Sequence, residues 1–220
     1  MPSSPRYTVA RSDADPARLL EGNSPSWAPA SAITWGPAPY PTTFRALWSP
    51  TALFLRFDSA DEKPWHTMTQ KDEHIWNEEV VEIFLDPAGS GLGYAELEIS
   101  PVNVVCDLVV RTPWPKVDSD PRWDLFGLQT RVVPWRAPQS GPDGWSALAV
   151  IPWPAFDPLP SKAPSLPPKP GDEWRFNVYR IKRPKGPTRP NDDAVYNAWS
   201  PTGGPSFHVP AAFGVMAFGG

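Results

Sequence analysis

The chain has 220 residues, a net charge of −4, one cysteine, 32 prolines and 12 tryptophans. The charge excludes the basic stripe that nucleic-acid binding needs. The lone Cys106 excludes an internal disulfide or a multi-thiolate metal site, and no run of about 18 apolar residues offers a membrane-spanning helix.

The opening stretch "MPSSPRYTVARSDADPARLL" lacks the apolar middle of a signal peptide. The expectation is a cytoplasmic protein, or an exported one whose leader has been removed. Residues 1–35 read as an N-terminal extension of a single domain covering 1–220. Within them Asp15–Leu20 holds one helical turn, with Asp15 as its cap and Pro16 at the first helical position. Strand-like segments then recur. Phe44–Ser49 and Ala52–Asp58 form a hairpin, and Val80–Asp86, Tyr94–Ser100 and Val104–Thr112 follow across short turns. Leu128–Val133, Gly144–Pro152, Trp174–Lys182 and Gly214–Phe218 complete the set, with "PWPAFDPLP" holding a single helical turn. The proline-rich stretch before Trp174 and the irregular stretch from Arg183 to His208 read as long loops of the same domain. So many prolines argue against long helices. The predicted fold is all-β, an antiparallel β-sandwich of jelly-roll or immunoglobulin-like layers with long proline-rich loops.

Side chains alternate along a strand, so parity assigns faces. Val81, Ile83 and Leu85 form one apolar face, as do Ala95, Leu97 and Ile99 on the next strand. Glu82, Phe84, Tyr94, Glu96 and Glu98 therefore share the opposite face, which reads either as a solvated sheet surface or as a set of acceptors for hydroxyl groups. Arg180 and Lys182 share a side with Trp174, Phe176 and Val178. Arg180 then either reaches out to solvent or turns its planar fork of donors into a cleft. Asn77, Glu78 and Glu79 read as strand entry, either solvated or facing a calcium ion. Cys106, in "VNVVCDLVV", reads as a small buried hydrophobe, and Trp145, Trp153 and Trp174 as core.

Five segments in order carry a resemblance: "WNEEVVEIFLDP", "YAELEISPVNVVCDL", "GWSALAVIPWPAF", "GDEWRFNVYRIKR" and "AWSPTGGPSFHVPAAFGVMAF". Together they resemble carbohydrate-binding module family 9 over Leu53 to Phe218. The resemblance implies a β-sandwich that binds a mono- or oligosaccharide without catalysis, in association with polysaccharide breakdown. It implies a terminal sugar clasped between Trp76 and Trp199, with Glu82 and Arg180 on its hydroxyls and Glu98, Asn177 and Asn197 as further candidates. Flat indoles suit the C–H face of a pyranose and charged groups suit its hydroxyl rim. Leu148 stands where such sequences often carry glutamate. The resemblance also admits a structural Ca²⁺, for which Asp58 and Asp61 in "DSADE" are the candidate ligands. No cofactor is required, and a monomer that contacts neither nucleic acid nor membrane is expected. The alternatives are haem held by residues such as His66 or Met68 of "WHTMT", a glycoside hydrolase using two of the glutamates, or a structural domain with no sugar ligand.

Overall fold

The computed structural model describes residues 4–136 and 143–220. Its strands are β1 (Arg6–Arg11), β2 (Ile33–Trp35), β3 (Thr42–Trp48), β4 (Ala52–Ala60), β5 (Val80–Asp86), β6 (Tyr94–Ile99) and β7 (Val105–Thr112). They continue with β8 (Asp118–Asp120), β9 (Gln129–Trp135), β10 (Gly144–Pro152), β11 (Glu173–Lys182), β12 (Val195–Ala198) and β13 (Gly214–Phe218). Among the described residues one α-helical turn forms, α1 (Pro16–Leu19). It starts where Asp15 accepts from the Ala17 amide and proline fills the first position.

These strands join one curled, mixed sheet, in the order β8-β7-β6-β5-β11-β13-β1-β3-β4-β10-β9, with β12 beside β11 and β2 beside β3. The curl turns on β1. Its residues Arg6–Val9 pair with β13 and its residues Ala10 and Arg11 pair with β3, both in parallel. Among the described residues every other pairing is antiparallel. One expectation is thereby corrected: the sheet is mixed rather than purely antiparallel. β1, from within residues 1–35, joins its two halves.

Parity holds through the interior. Val81, Ile83 and Leu85 of β5 and Phe176 and Val178 of β11 pack in one core with Leu55 and Phe57 of β4 and Ala147 and Ile151 of β10. Trp145, Trp153 and Trp174 belong to it. The outer side of β4 and β10 is apolar too. Phe54, Leu148 and Val150 lie under Leu19 and Trp27, so Leu148 is a packing residue beneath α1. The outer side of β5, β6, β7 and β11 carries a third cluster that includes Val80, Phe84, Tyr94, Cys106 and Tyr179, packed with Phe213. That face is roofed by the chain between β12 and β13, so it is not the solvated surface that parity alone allowed.

At one end of the interior the core gives way to an ion-pair cluster. Arg180 Nη2 lies 2.6 Å from Asp61 Oδ2, and Lys182 Nζ lies 2.8 Å from both Asp61 Oδ1 and Glu79 Oε1. Trp145 covers the guanidinium at 5.0 Å and Tyr40 the ammonium at 5.4 Å. Burial pushes the Asp61 carboxyl up, but Arg180, a hydrogen bond shared with Glu79, and Lys182 outweigh it and hold the group below the usual carboxylate range. Glu78 and Glu79 are buried, not solvated. Glu78 accepts from the amides of Thr67 and Met68.

Candidate functional site

The roofed outer face is the candidate site. β5 brings Glu82 and Phe84, and β6 brings Glu96 and Glu98. Pairing sets Glu82 directly opposite Glu98, and Phe84 opposite Glu96. Like charges facing each other across a ladder destabilise a sheet, so this register carries a cost that hydrophobic pairs would not. One carboxylate oxygen from each of Glu82, Glu96 and Glu98 lies within 4.8 Å of the other two. The three residues are only 2%, 4% and 1% exposed.

Aromatic rings surround the glutamates. Trp76 stands on the short helical turn Ile75–Asn77 and stacks on His74, with centroids 4.3 Å apart. From the roof, Phe207 stacks on Tyr179 at 4.3 Å and His208 on Phe84 at 5.0 Å. His208 Nδ1 also shares a hydrogen bond of 3.0 Å with the Tyr94 hydroxyl. Between Trp76 and the roof opens a cleft of about 800 Å³, floored by the three glutamates and bordered by Tyr196, Ala198 and residues 201–208. That volume is in the range of small-molecule sites.

The electrostatics follow from burial. Desolvation raises Glu82 and Glu98 well above the ordinary carboxylate range, and their like-charged neighbours add to it. Burial raises Glu96 to about 7, while a proton shared with Glu98 restrains the rise. His208, 3.9 Å from Glu96, brings no compensating charge, because burial lowers its pKa to about 4 and leaves it neutral. Three oxygens, Glu82 Oε1, Glu96 Oε2 and Glu98 Oε2, have no hydrogen-bond partner among the described residues. The site therefore presents unused acceptors between aromatic walls.

Of the residues singled out in the sequence, Trp76, Glu82, Glu98 and Asn197 line this cleft. Asn197 stands opposite Arg180 in the β11–β12 ladder. Trp199 does not line it. Its indole packs against the interior, 5.0 Å from the Phe176 ring. Arg180 lies on the other side of β11, in the ion-pair cluster. Asn177 is fully buried and clamps Ser200 through two hydrogen bonds, one to its carbonyl and one from its amide. Asp58 is engaged by Arg45, Arg56 and Ser146, and Asp61 by Arg180 and Lys182, so cationic side chains already engage both calcium candidates. His66 is exposed, and neither it nor Met68 lines the cleft. Parity marks Glu96 as clearly as its two neighbours, but no sequence pattern points to Tyr196, Phe207 or His208 as walls.

No family model matches the chain, and no curated protein matches it in sequence. Solved structures do match. A candidate carbohydrate-binding protein from Bacteroides uniformis superposes with a TM-score of 0.71 at 18% identity, over 98% of this chain and 100% of that one. Two structures of a carbohydrate-binding module family 9 domain from Caldicellulosiruptor kristjanssonii match at 16% identity over 98% of this chain. The complex with cellotriose gives a TM-score of 0.63 over 94% of that chain, and the complex with glucose 0.65 over 96%. The chain has a family 9-like fold. The family 9 likeness extends over nearly the whole chain, so it takes in β1 and the roof as well as the five segments legible in the sequence.

Proposed function

We propose that the protein binds carbohydrate in this cleft without catalysis, serving polysaccharide breakdown, with the halves of the curled sheet acting as the layers of a sandwich. The observation that carries the reading is the cleft itself: unpartnered carboxylate oxygens beside Trp76, in a fold whose solved examples include complexes with cellotriose and glucose. A sugar ring would lay its C–H face on Trp76 and turn hydroxyls toward Glu82, Glu96 and Glu98. Tyr196 and Phe207 take the part that a second tryptophan was expected to play, since they line the same cleft and Trp199 does not. The protein acts as a monomer and needs no cofactor in this reading.

Calorimetry against a panel of mono- and oligosaccharides tests the proposal. Truncating a central aromatic contact costs about 2 kcal/mol, so Trp76→Ala should weaken binding roughly thirtyfold. Affinity unchanged by that substitution removes Trp76 from the site. Release of reducing ends from any bound oligosaccharide would make the protein a hydrolase instead.

A further inference from the structure

The glutamate cluster differs from the other buried carboxylates of the protein in how its charge is met. Asp61, Glu79 and Asp107 each have a lysine or arginine partner. Glu78 and Asp86 accept backbone N–H groups. Among the described residues, no lysine or arginine makes an ion pair with Glu82, Glu96 or Glu98. Each of the three is more than nine-tenths buried, lines the cleft and keeps one oxygen unpartnered. A missing cation is the simplest complement to that arrangement.

Resting on the reading of the cleft as a carbohydrate site, we infer that its preferred ligand is an amino sugar with a free ammonium group, seated on Glu82, Glu96 and Glu98. An ammonium carries three N–H donors and no acceptor, which matches three unpartnered oxygens on three side chains. One carboxylate oxygen from each of the three residues lies within 4.8 Å of the other two, which leaves a point within about 2.8 Å of all three, the length of a charge-assisted N–H···O bond. The aromatic walls add to the match, because ring faces attract cations as well as sugar C–H groups. A divalent metal fits less well. Calcium takes six to eight oxygen ligands, whereas the three glutamates keep one unpartnered oxygen apiece in a cleft that Trp76, Phe84, Leu108, Ile181 and Phe207 line beside Ser119, Tyr196, Asn197 and Ser206. The ammonium would hold the cluster ionised, so binding expels the protons that the empty cluster retains. Other titratable groups around the cluster are Cys106 from β7, Tyr94 from β6, Tyr179 from β11 and His208 from the roof, all four neutral near pH 7, and Tyr196 from β12 at the border of the cleft.

The test is calorimetry at pH 7 on the full chain with glucosamine, N-acetylglucosamine and glucose, in two buffers of different ionisation enthalpy, and with calcium chloride alone. Glucosamine should bind at least tenfold more tightly than the other two sugars, with a heat that changes with the buffer. Glu96→Gln and Glu98→Gln should bring the glucosamine preference down toward unity, with folding checked by circular dichroism. The comparison of sugars on the unmodified protein stands even where a variant does not fold. Equal affinity for glucose and glucosamine overturns the ammonium site and leaves carbohydrate binding in place. Calcium that binds alone and displaces glucosamine overturns it in favour of a metal site. No heat with any sugar overturns both readings.

Discussion

Replacing Arg180 with methionine separates two roles for that residue, contact with a sugar and neutralisation of a buried charge. The side chain is 1% exposed and that of Asp61 is 0% exposed. Its guanidinium donates to Asp61 at 2.6 Å and to the carbonyls of Val80 and Ile181 at 3.2 and 2.7 Å. In Arg180→Met, Lys182 becomes, among the described residues, the one cation for both Asp61 and Glu79, and two buried carbonyls lose a donor. Removing one partner from a buried ion pair costs about 3–5 kcal/mol. For a chain of this size each kcal/mol shifts the melting midpoint by roughly 2–4 °C, so the variant should melt roughly 6–20 °C lower. Urea denaturation followed by tryptophan fluorescence measures the loss directly, and calorimetry on the folded variant measures sugar affinity. The expected result is a large loss of stability with sugar affinity unchanged. A loss below about 1 kcal/mol, or a stable variant that no longer binds sugar, would refute the reasoning.

Trp199→Ala should behave in the same sense. The ring packs on Phe176 and so close over Gly214 that a methyl added there would clash with it, so its loss opens a cavity costing about 3 kcal/mol. Sugar affinity should be unaffected, whereas a selective loss of binding would place Trp199 in the site. The pH dependence of stability isolates Glu96. Its folded pKa of about 7 exceeds the ordinary value, so the folded state holds a proton that the unfolded chain releases. The contribution is fully present below about pH 4.3 and is lost as pH rises through about 7, at up to about 1.4 kcal/mol per unit. His208, lowered to about 4, acts in the opposite sense: its contribution is present above about pH 6.5 and lost as pH falls through about 4. Comparing unliganded wild type with Glu96→Gln from pH 4.5 to 7.5 by urea denaturation should show the variant losing less stability on the alkaline side. Parallel curves would mean that Glu96 is ionised in the folded protein.

Local rules make much of this molecule legible in its sequence. Period-two alternation places Val81, Ile83 and Leu85 inward and Glu82, Glu96 and Glu98 on one shared face, because a strand has only two faces and the apolar set defines one of them. Asp15 and Pro16 mark α1, since cap chemistry is local. Parity also sets Arg180 on the side of Val178. That side does not open into a ligand cleft, because the carboxylate that meets the guanidinium is Asp61, 119 residues away in the chain. Tertiary structure alone decided the rest. β1 alternates over only six residues, with Tyr7 and Val9 inward, and its place in the sheet depends on parallel pairing with β13 and β3, which no local pattern reveals. The roof over the glutamates comes from an irregular stretch with no period, and its return path is set by packing Phe207 on Tyr179 and His208 on Phe84. By itself, then, the sequence determined which side chains share a face, because that depends only on spacing along one strand. Whether the face is solvent, core or binding site depended on what distant chain covers it, and there only the folded molecule could decide.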